Sequence, residues 1–383
     1  AGLSLRHREP TQDLRASTQG DSRYLRDYLL AEVMAHLPAA HQAWLLKTAV
    51  LDRFCAPLCE AVCQAGTDCA ETGLDGDEFI DWLERENLFL VPLDDRGEWF
   101  RFHHLFQSLL QVLLQARLPA GEIDALRMAA SRWCAENHLM EEALQYALAA
   151  GDVDAAVHLV EQHRHSLMNT EQWSRLDRWL KWLPEDAVAH SPFLLNARAF
   201  LAVYRGQDTE MVTAIQQSER LLATLSPEAA EVPIARAEIA AIQALVDILV
   251  GQPAHATATA KTCLEVLPPQ ALHIRSIAVG TIGGGLQMQG EFKQGTEVIS
   301  EALADRVWPA GLHAKMAHCL AIACFQEGDL TGMQRWAREY LPVAEQRQLG
   351  ESLSFLRYHL GSAHYLRNEF AQAELYLLAL WQD

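Results

Sequence analysis

Hydrophobic positions between residues 24 and 150 recur at helical spacing, with one interruption. "YLRDYLLAEVMAHLP" and "AAHQAWLLKTAV" set apolar side chains three and four residues apart, the period of a helix with one buried face. Pro38 separates the two, because proline has no N–H to continue a helix. "CAPLCEAVCQA" and "DEFIDWLERE" predict two shorter helices, with Asp77 as N-cap of the second. Then the period changes. "LFLVPL" and "EWFRF" predict two strands, and Asp94-Asp95-Arg96-Gly97 predicts the turn of a hairpin. Helical spacing resumes at "HHLFQSLLQVLLQAR". Short helices followed by a β-hairpin are the order of a winged helix-turn-helix.

Beyond Pro192 the pattern repeats. Gly206, Gly251, Gly290, Gly328 and Asn368 each open a similar polar segment, at intervals of 45, 39, 38 and 40 residues. Seven residues before each stands a small residue: Ala199, Ala244, Gly283, Ala321 and Gly361. One geometry accounts for both positions. The small residue lets two antiparallel helices approach, and the Gly or Asn takes the left-handed turn between them. Pro227, Pro268, Pro309 and Pro342 are expected to end the second helices. The expected fold class is all-α: a winged helix with one small β-hairpin, then a tetratricopeptide-like superhelix. The expected divisions are a tail over 1–22, the winged helix over 23–118, a helical linker over 119–190 and the repeats over 191–383.

Composition narrows the function. Half of the 383 residues are hydrophobic and the formal charge is −19, which works against attraction to DNA or anionic membranes. Residues 24–118 hold seven Lys or Arg against fifteen Asp or Glu, so the winged helix is not expected to read DNA directly. The most apolar run, "IAAIQALVDILVG", is interrupted by Asp247 and falls short of the ~20 apolar residues of a membrane helix. With no signal-peptide core in "AGLSLRHREP", the cytoplasm is the expected location. Cys55, Cys59 and Cys63 recur every four residues and fall on one helix face, as small buried residues rather than a zinc knuckle.

The segments "LLKTAVLDRFCAPLCEAV", "WLERENLFLVPLDDRGEWFRFHHLFQSLL", "EEALQYALAAGDVDAAVHLVE" and "RLDRWLKWLP" resemble the MalT-type subgroup of LuxR transcription regulators, ATP-dependent signal-transduction proteins of the STAND class. The resemblance implies an order of nucleotide-binding domain, winged helix, helical linker, tetratricopeptide-like sensor and DNA-binding helix-turn-helix. No G-x-x-x-x-G-K-[ST] phosphate loop occurs here, and "LYLLALWQD" ends within the last repeat. The sequence therefore reads as a central fragment or a truncated relative. ATP or ADP is implied for a full-length protein, and no cofactor is expected in this chain. In the STAND class a hydrophobic-His-Asp motif opens a winged-helix helix and its imidazole reaches the β-phosphate of ADP. "RFHHLFQSLL" is similar, with His103 as the sensing histidine and His104 in place of the acidic residue.

Other candidate chemistry is sparse. His103 with His104, and His163 with His165, point in different directions on a helix, which argues against a metal; the second pair is expected to be solvated. No catalytic set and no metal site is expected. "GTIGGGLQMQG" lacks dinucleotide-loop spacing. Gly283 has its packing role, but Gly284 and Gly285 cost helix stability without one, and they are the candidate ligand or partner positions on the superhelix. Trp308 is a candidate pocket-edge aromatic, whereas Trp173, Trp179 and Trp182 read as core. The expected function is non-enzymatic. A small-molecule inducer or regulatory protein binds the superhelix, and the winged helix relays that event to the nucleotide-binding domain of the same protein. Self-association is possible, direct nucleic-acid contact and membrane insertion are not expected, and the alternative is a protein-interaction scaffold without an inducer.

Overall fold

The computed structural model describes residues 37–65, 73–305 and 308–380. The tail over 1–22, the helix expected from Tyr24, and Cys69 lie outside the described residues. Two compact units divide after Asp152.

The first unit opens with α1 (Ala39–Lys47), a single 3₁₀ turn, α2 (Ala56–Gln64) and α3 (Gly76–Arg85). Asp75, rather than Asp77, caps α3: its carboxylate accepts the Glu78 N–H at 2.8 Å. Asp75 has the extended backbone an N-cap needs, while Asp77 already lies inside the first turn. The hairpin follows as β1 (Leu90–Pro92) and β2 (Phe100–Phe102), antiparallel, with Leu90 opposite Phe102 and Pro92 opposite Phe100. Phe100 and Phe102 point inward and Arg101 outward, the two-residue alternation of a half-buried strand. Phe54 exchanges two 2.8 Å backbone hydrogen bonds with Phe100, which fastens the hairpin to the loop before α2. In the turn, Gly97 adopts a φ of 67° and the Asp94 carboxylate accepts the N–H groups of Arg96, Glu98 and Trp99. Those amides hold its carboxyl below the usual range. Cys55, Cys59 and Cys63 are buried and form no disulfide. The unit continues with α4 (His104–Arg117), α5 (Ala120–Glu136) and α6 (Met140–Ala149).

The second unit begins with α7 (Val153–Asn169), α8 (Trp173–Trp182) and α9 (Glu185–Ala189). Five helical pairs follow: α10 (Pro192–Arg205) with α11 (Asp208–Thr224), α12 (Glu231–Leu249) with α13 (Pro253–Val266), and α14 (Leu272–Met288) with α15 (Phe292–Ala304). The last two are α16 (Ala310–Gln326) with α17 (Leu330–Arg347), and α18 (Gly350–Leu366) with α19 (Phe370–Ala379). All five predicted turn residues are left-handed, from φ 62° at Asn368 to 87° at Gly290. The small positions are buried contacts within pairs: a Cβ on Gly283 would lie 2.4 Å from the Ile299 side chain of the following helix. Pro342 does not end its helix. It lies on the exposed face of α17, which continues to Arg347 because Ala344 and the following Leu349 are buried in the cluster formed with α18.

Candidate ligand cavity

The first helix of every pair contributes to one cavity of 670 Å³ in the second unit. That volume is the size of a small-molecule site. Phe200 and Tyr204 enter from α10, Leu245 and Ile248 from α12, Thr281 and Gly284 from α14, Ile322 from α16 and Phe355 from α18. Trp173, at the start of α8, closes one wall and stacks on Tyr204 at 5.1 Å. The walls are mostly apolar because each first helix turns its repeat-position hydrophobics toward its neighbours.

One end of the cavity is polar. The buried ammonium of Lys315 donates to His273 Nδ1 at 2.9 Å and to Glu351 Oε2 at 2.7 Å. Trp173 Nε1 donates to the same carboxylate oxygen at 3.0 Å. Burial, reinforced by the Lys315 charge, holds the His273 imidazole well below its usual pKa, so it is the neutral acceptor that a lysine requires. Behind this group the Glu171 carboxylate accepts the N–H and hydroxyl of Ser352, and burial raises its pKa although Lys315 opposes the rise. At another wall, His318 stacks on Phe355 with ring centroids 4.1 Å apart and shares a 2.7 Å hydrogen bond with His359. Burial pushes His318 down to about 3, helped by His359 and Lys315, and pushes His359 down to about 4. Both imidazoles are neutral at pH 7.

The residues singled out from sequence fall in different places. Gly284 lines the cavity, and a Cβ there would meet nothing closer than Ile248 Cδ1 at 3.9 Å. Gly285 has a packing reason that its sequence context does not reveal: a Cβ would lie 2.2 Å from Thr257 Oγ1 on α13. Trp308 does not line the cavity; it packs behind two residues that do, Ile299 and Met316, in a core with Leu320. Trp173, expected in the core, is both buried and a cavity wall. His165 is not solvated; it is buried against Glu238 at 2.9 Å. In the first unit His103 holds the N-cap position of α4, with its backbone N–H donated to Phe89 O at 2.8 Å. The His103 and His104 rings are exposed and 4.3 Å apart. Among the described residues no group of three His, Cys, Asp or Glu side chains converges as a metal site.

Residues 30–122 match the MalT winged helix domain family. A crystal structure of a signal transduction ATPase with numerous domains (STAND) carrying a tetratricopeptide repeat sensor, from Pyrococcus horikoshii, overlays with a TM-score of 0.61 at 12% identity, over 91% of this chain and 51% of that one. The family match covers the winged helix alone. Helical pairs of tetratricopeptide-like fold follow that winged helix, and the chain spans about half the length of the Pyrococcus horikoshii neighbour. The type IV pilus biogenesis factor PilW matches 59% of the chain, at 15% identity and a TM-score of 0.34 over 93% of its own length.

The second unit has a second concavity of a different kind. A trough of 860 Å³ between α8, α9, α10 and α11 is lined by the charged side chains of Asp177, Lys181, Glu185, Arg198 and Arg205 among others. Asp177 takes Lys181 at 2.8 Å and Arg205 at 2.7 Å, and Arg198 holds both oxygens of Glu185. These charges are already engaged with one another. No helix among the described residues is long and apolar enough to cross a membrane.

The polar cavity residues are hard to find from sequence because His273, Lys315 and Glu351 come from three separate pairs. A signal is present in "AGLHAKMAHCLAIACF", where Lys315 and His318 interrupt a helix face that is otherwise apolar or small.

Proposed function

We propose that this chain is the signal-sensing and coupling portion of a MalT-like, LuxR-family transcription regulator that works in the cytoplasm. In this reading a small-molecule inducer occupies the cavity of the superhelix. The observation that carries it is the 670 Å³ apolar cavity with a buried polar end, built from the first helices of all five pairs. A ligand there touches every repeat at once, so it can favour one curvature of the stack over another. An equilibrium moves only as far as the ligand's differential affinity allows, and a full switch requires about 5.5 kcal/mol.

The winged helix passes that preference to a nucleotide-binding domain of the full-length protein. The support is local: the N-terminus of α4 and two exposed imidazoles present donors suited to a phosphate. The alternative, a scaffold that binds a peptide, would use the charged trough, and the ion pairs that occupy it weigh against that reading.

A thermal-shift panel of sugars, aromatic acids, acyl compounds and nucleotides tests the site on the chain itself. A ligand at a hundredfold its dissociation constant adds roughly 2.7 kcal/mol, a shift of several degrees. The shift should vanish in Gly284→Leu, whose side chain fills the cavity. A panel without hits, or hits indifferent to that substitution, would turn the assignment toward a protein partner.

A further inference from the structure

We infer that the cavity takes an uncharged, mainly apolar small molecule ending in a group that both accepts and donates a hydrogen bond, such as a carboxamide, lactam or alcohol. This rests on the reading of the cavity as the inducer site. The first ground is charge. Apart from the neutral imidazoles of His273 and His318, the acidic and basic side chains that line the cavity are Glu351 and Lys315, and they are bonded to each other at 2.7 Å. A carboxylate or phosphate would leave water without meeting a free counter-charge, which is costly in a buried site.

The second ground is the hydrogen-bonding capacity that remains. Lys315 uses two of its three N–H groups, and both bonds to Glu351 fall on Oε2. Beside the buried and unpartnered Thr281 Oγ1 and Gln287 Oε1 of the lining, one further donor and one further acceptor, the third Lys315 N–H and Glu351 Oε1, take no hydrogen bond among the described residues. A carboxamide satisfies both, its oxygen on Lys315 and its N–H on Glu351, whereas a carboxylate accepts from the first and is repelled by the second. The lining hydroxyls of Ser276 and Ser354 are already donated to backbone carbonyls, at 2.6 and 3.0 Å. An oligosaccharide, with a hydroxyl on nearly every carbon, would strand most of its polar groups against Ile248, Ile322 and Phe355.

The test is displacement of the neutral fluorophore N-phenylnaphthylamine from the whole chain by naphthylbutyramide, naphthylbutyrate and a linear trisaccharide. The amide and the carboxylate share one apolar body, so their ratio reports the polar end. The amide is expected to compete at least about tenfold better than the carboxylate, and the trisaccharide not at all. Glu351→Gln removes the repelling charge and should shrink or invert that ratio, with thermal melting confirming the fold. Equal competition by the carboxylate, displacement by the trisaccharide, no displacement by the amide, or a ratio unchanged in Glu351→Gln would overturn the ligand class while leaving the site. Failure of the fluorophore to bind, or binding undiminished in Gly284→Leu, would instead overturn the cavity as the site. Gly284→Leu leaves the Lys315–Glu351 pair intact, which keeps the two failures distinct.

Discussion

Two carboxylates of the superhelix lie against cations, Glu238 fully buried and Glu351 partly buried, and they differ in what surrounds them. Glu238 on α12 accepts from Arg164 at 2.8 Å, His165 at 2.9 Å and Asn196 at 3.0 Å, so both of its oxygens are engaged. Burial alone would raise its pKa, but these partners overcome that and hold it below the usual carboxylate range. Glu351 on α18 has its bonds crowded on one oxygen and turns toward an apolar cavity. A buried charge with both oxygens engaged fastens helices together. A partly buried charge with one side open is positioned for something that arrives later. The first arrangement explains the fold around α7, α10 and α12, and the second explains the cavity.

The sharpest way to break this comparison is Glu238→Gln, which leaves the Arg164 guanidinium buried without its counter-charge. It should destabilise by about 3–5 kcal/mol, read as a lower urea midpoint, while ligand affinity of the folded fraction is unchanged. An affinity loss larger than the stability loss would mean that the Glu238 cluster belongs to the site.

Acidification separates the regions next. The folded imidazoles of His318 and His359 lie at about 3 and about 4, below the unfolded value of 6.5. The unfolded chain therefore binds protons first as pH falls. Their stabilising contribution is complete above about pH 7 and is lost from 6.5 downward, roughly 2 kcal/mol at pH 5 for each imidazole that stays neutral. Glu171, raised by burial, acts in the opposite sense. The double variant His318→Gln/His359→Gln, compared by urea unfolding at pH 7.5 and pH 5, isolates the part due to this pair, with His273 still contributing in the same sense. It should flatten the slope, and an unchanged slope would remove these histidines from the acid response.

Lys315→Met should cost about 1–3 kcal/mol, less than Glu238→Gln, because Glu351 keeps the Trp173 N–H and is partly open. Combining it with Glu351→Gln should restore much of the stability and none of the affinity for naphthylbutyramide. Calorimetry of the single and double variants distinguishes that outcome from simple loss of folding.

How much of this is legible in the sequence depends on the range over which each determinant acts. The hairpin, its Gly97 turn and the five left-handed turns are local matters of period and backbone freedom, and they stand where the sequence places them. The cap of α3 is Asp75 instead of Asp77, since both are good capping residues and only the backbone path chooses. Pro342 has the look of a stop, yet one exposed proline is tolerated when buried residues on either side hold the helix. The Lys315–His273–Glu351 group is not legible as a group, because repeats more than thirty residues apart supply its members and spacing alone gives no register between them.

Gly284 gives the smallest effect and bears on the comparison from the other side. Gly283 and Gly285 flank it, and at both an added methyl would have neighbours inside 3 Å, so close helix packing explains them. At Gly284 a methyl group would meet only Ile248 Cδ1 at 3.9 Å, and the backbone is helical. Alanine there should therefore stabilise the chain by about 0.5–1 kcal/mol, because glycine is the poorer helix former. The same methyl narrows the cavity, so affinity for naphthylbutyramide should fall as stability rises. That opposition is the signature of a position that keeps space open at a cost to the fold. If Gly284→Ala stabilises and binding is unchanged, the glycine has no part in the site, and the cavity's capacity is set by the aromatic walls alone.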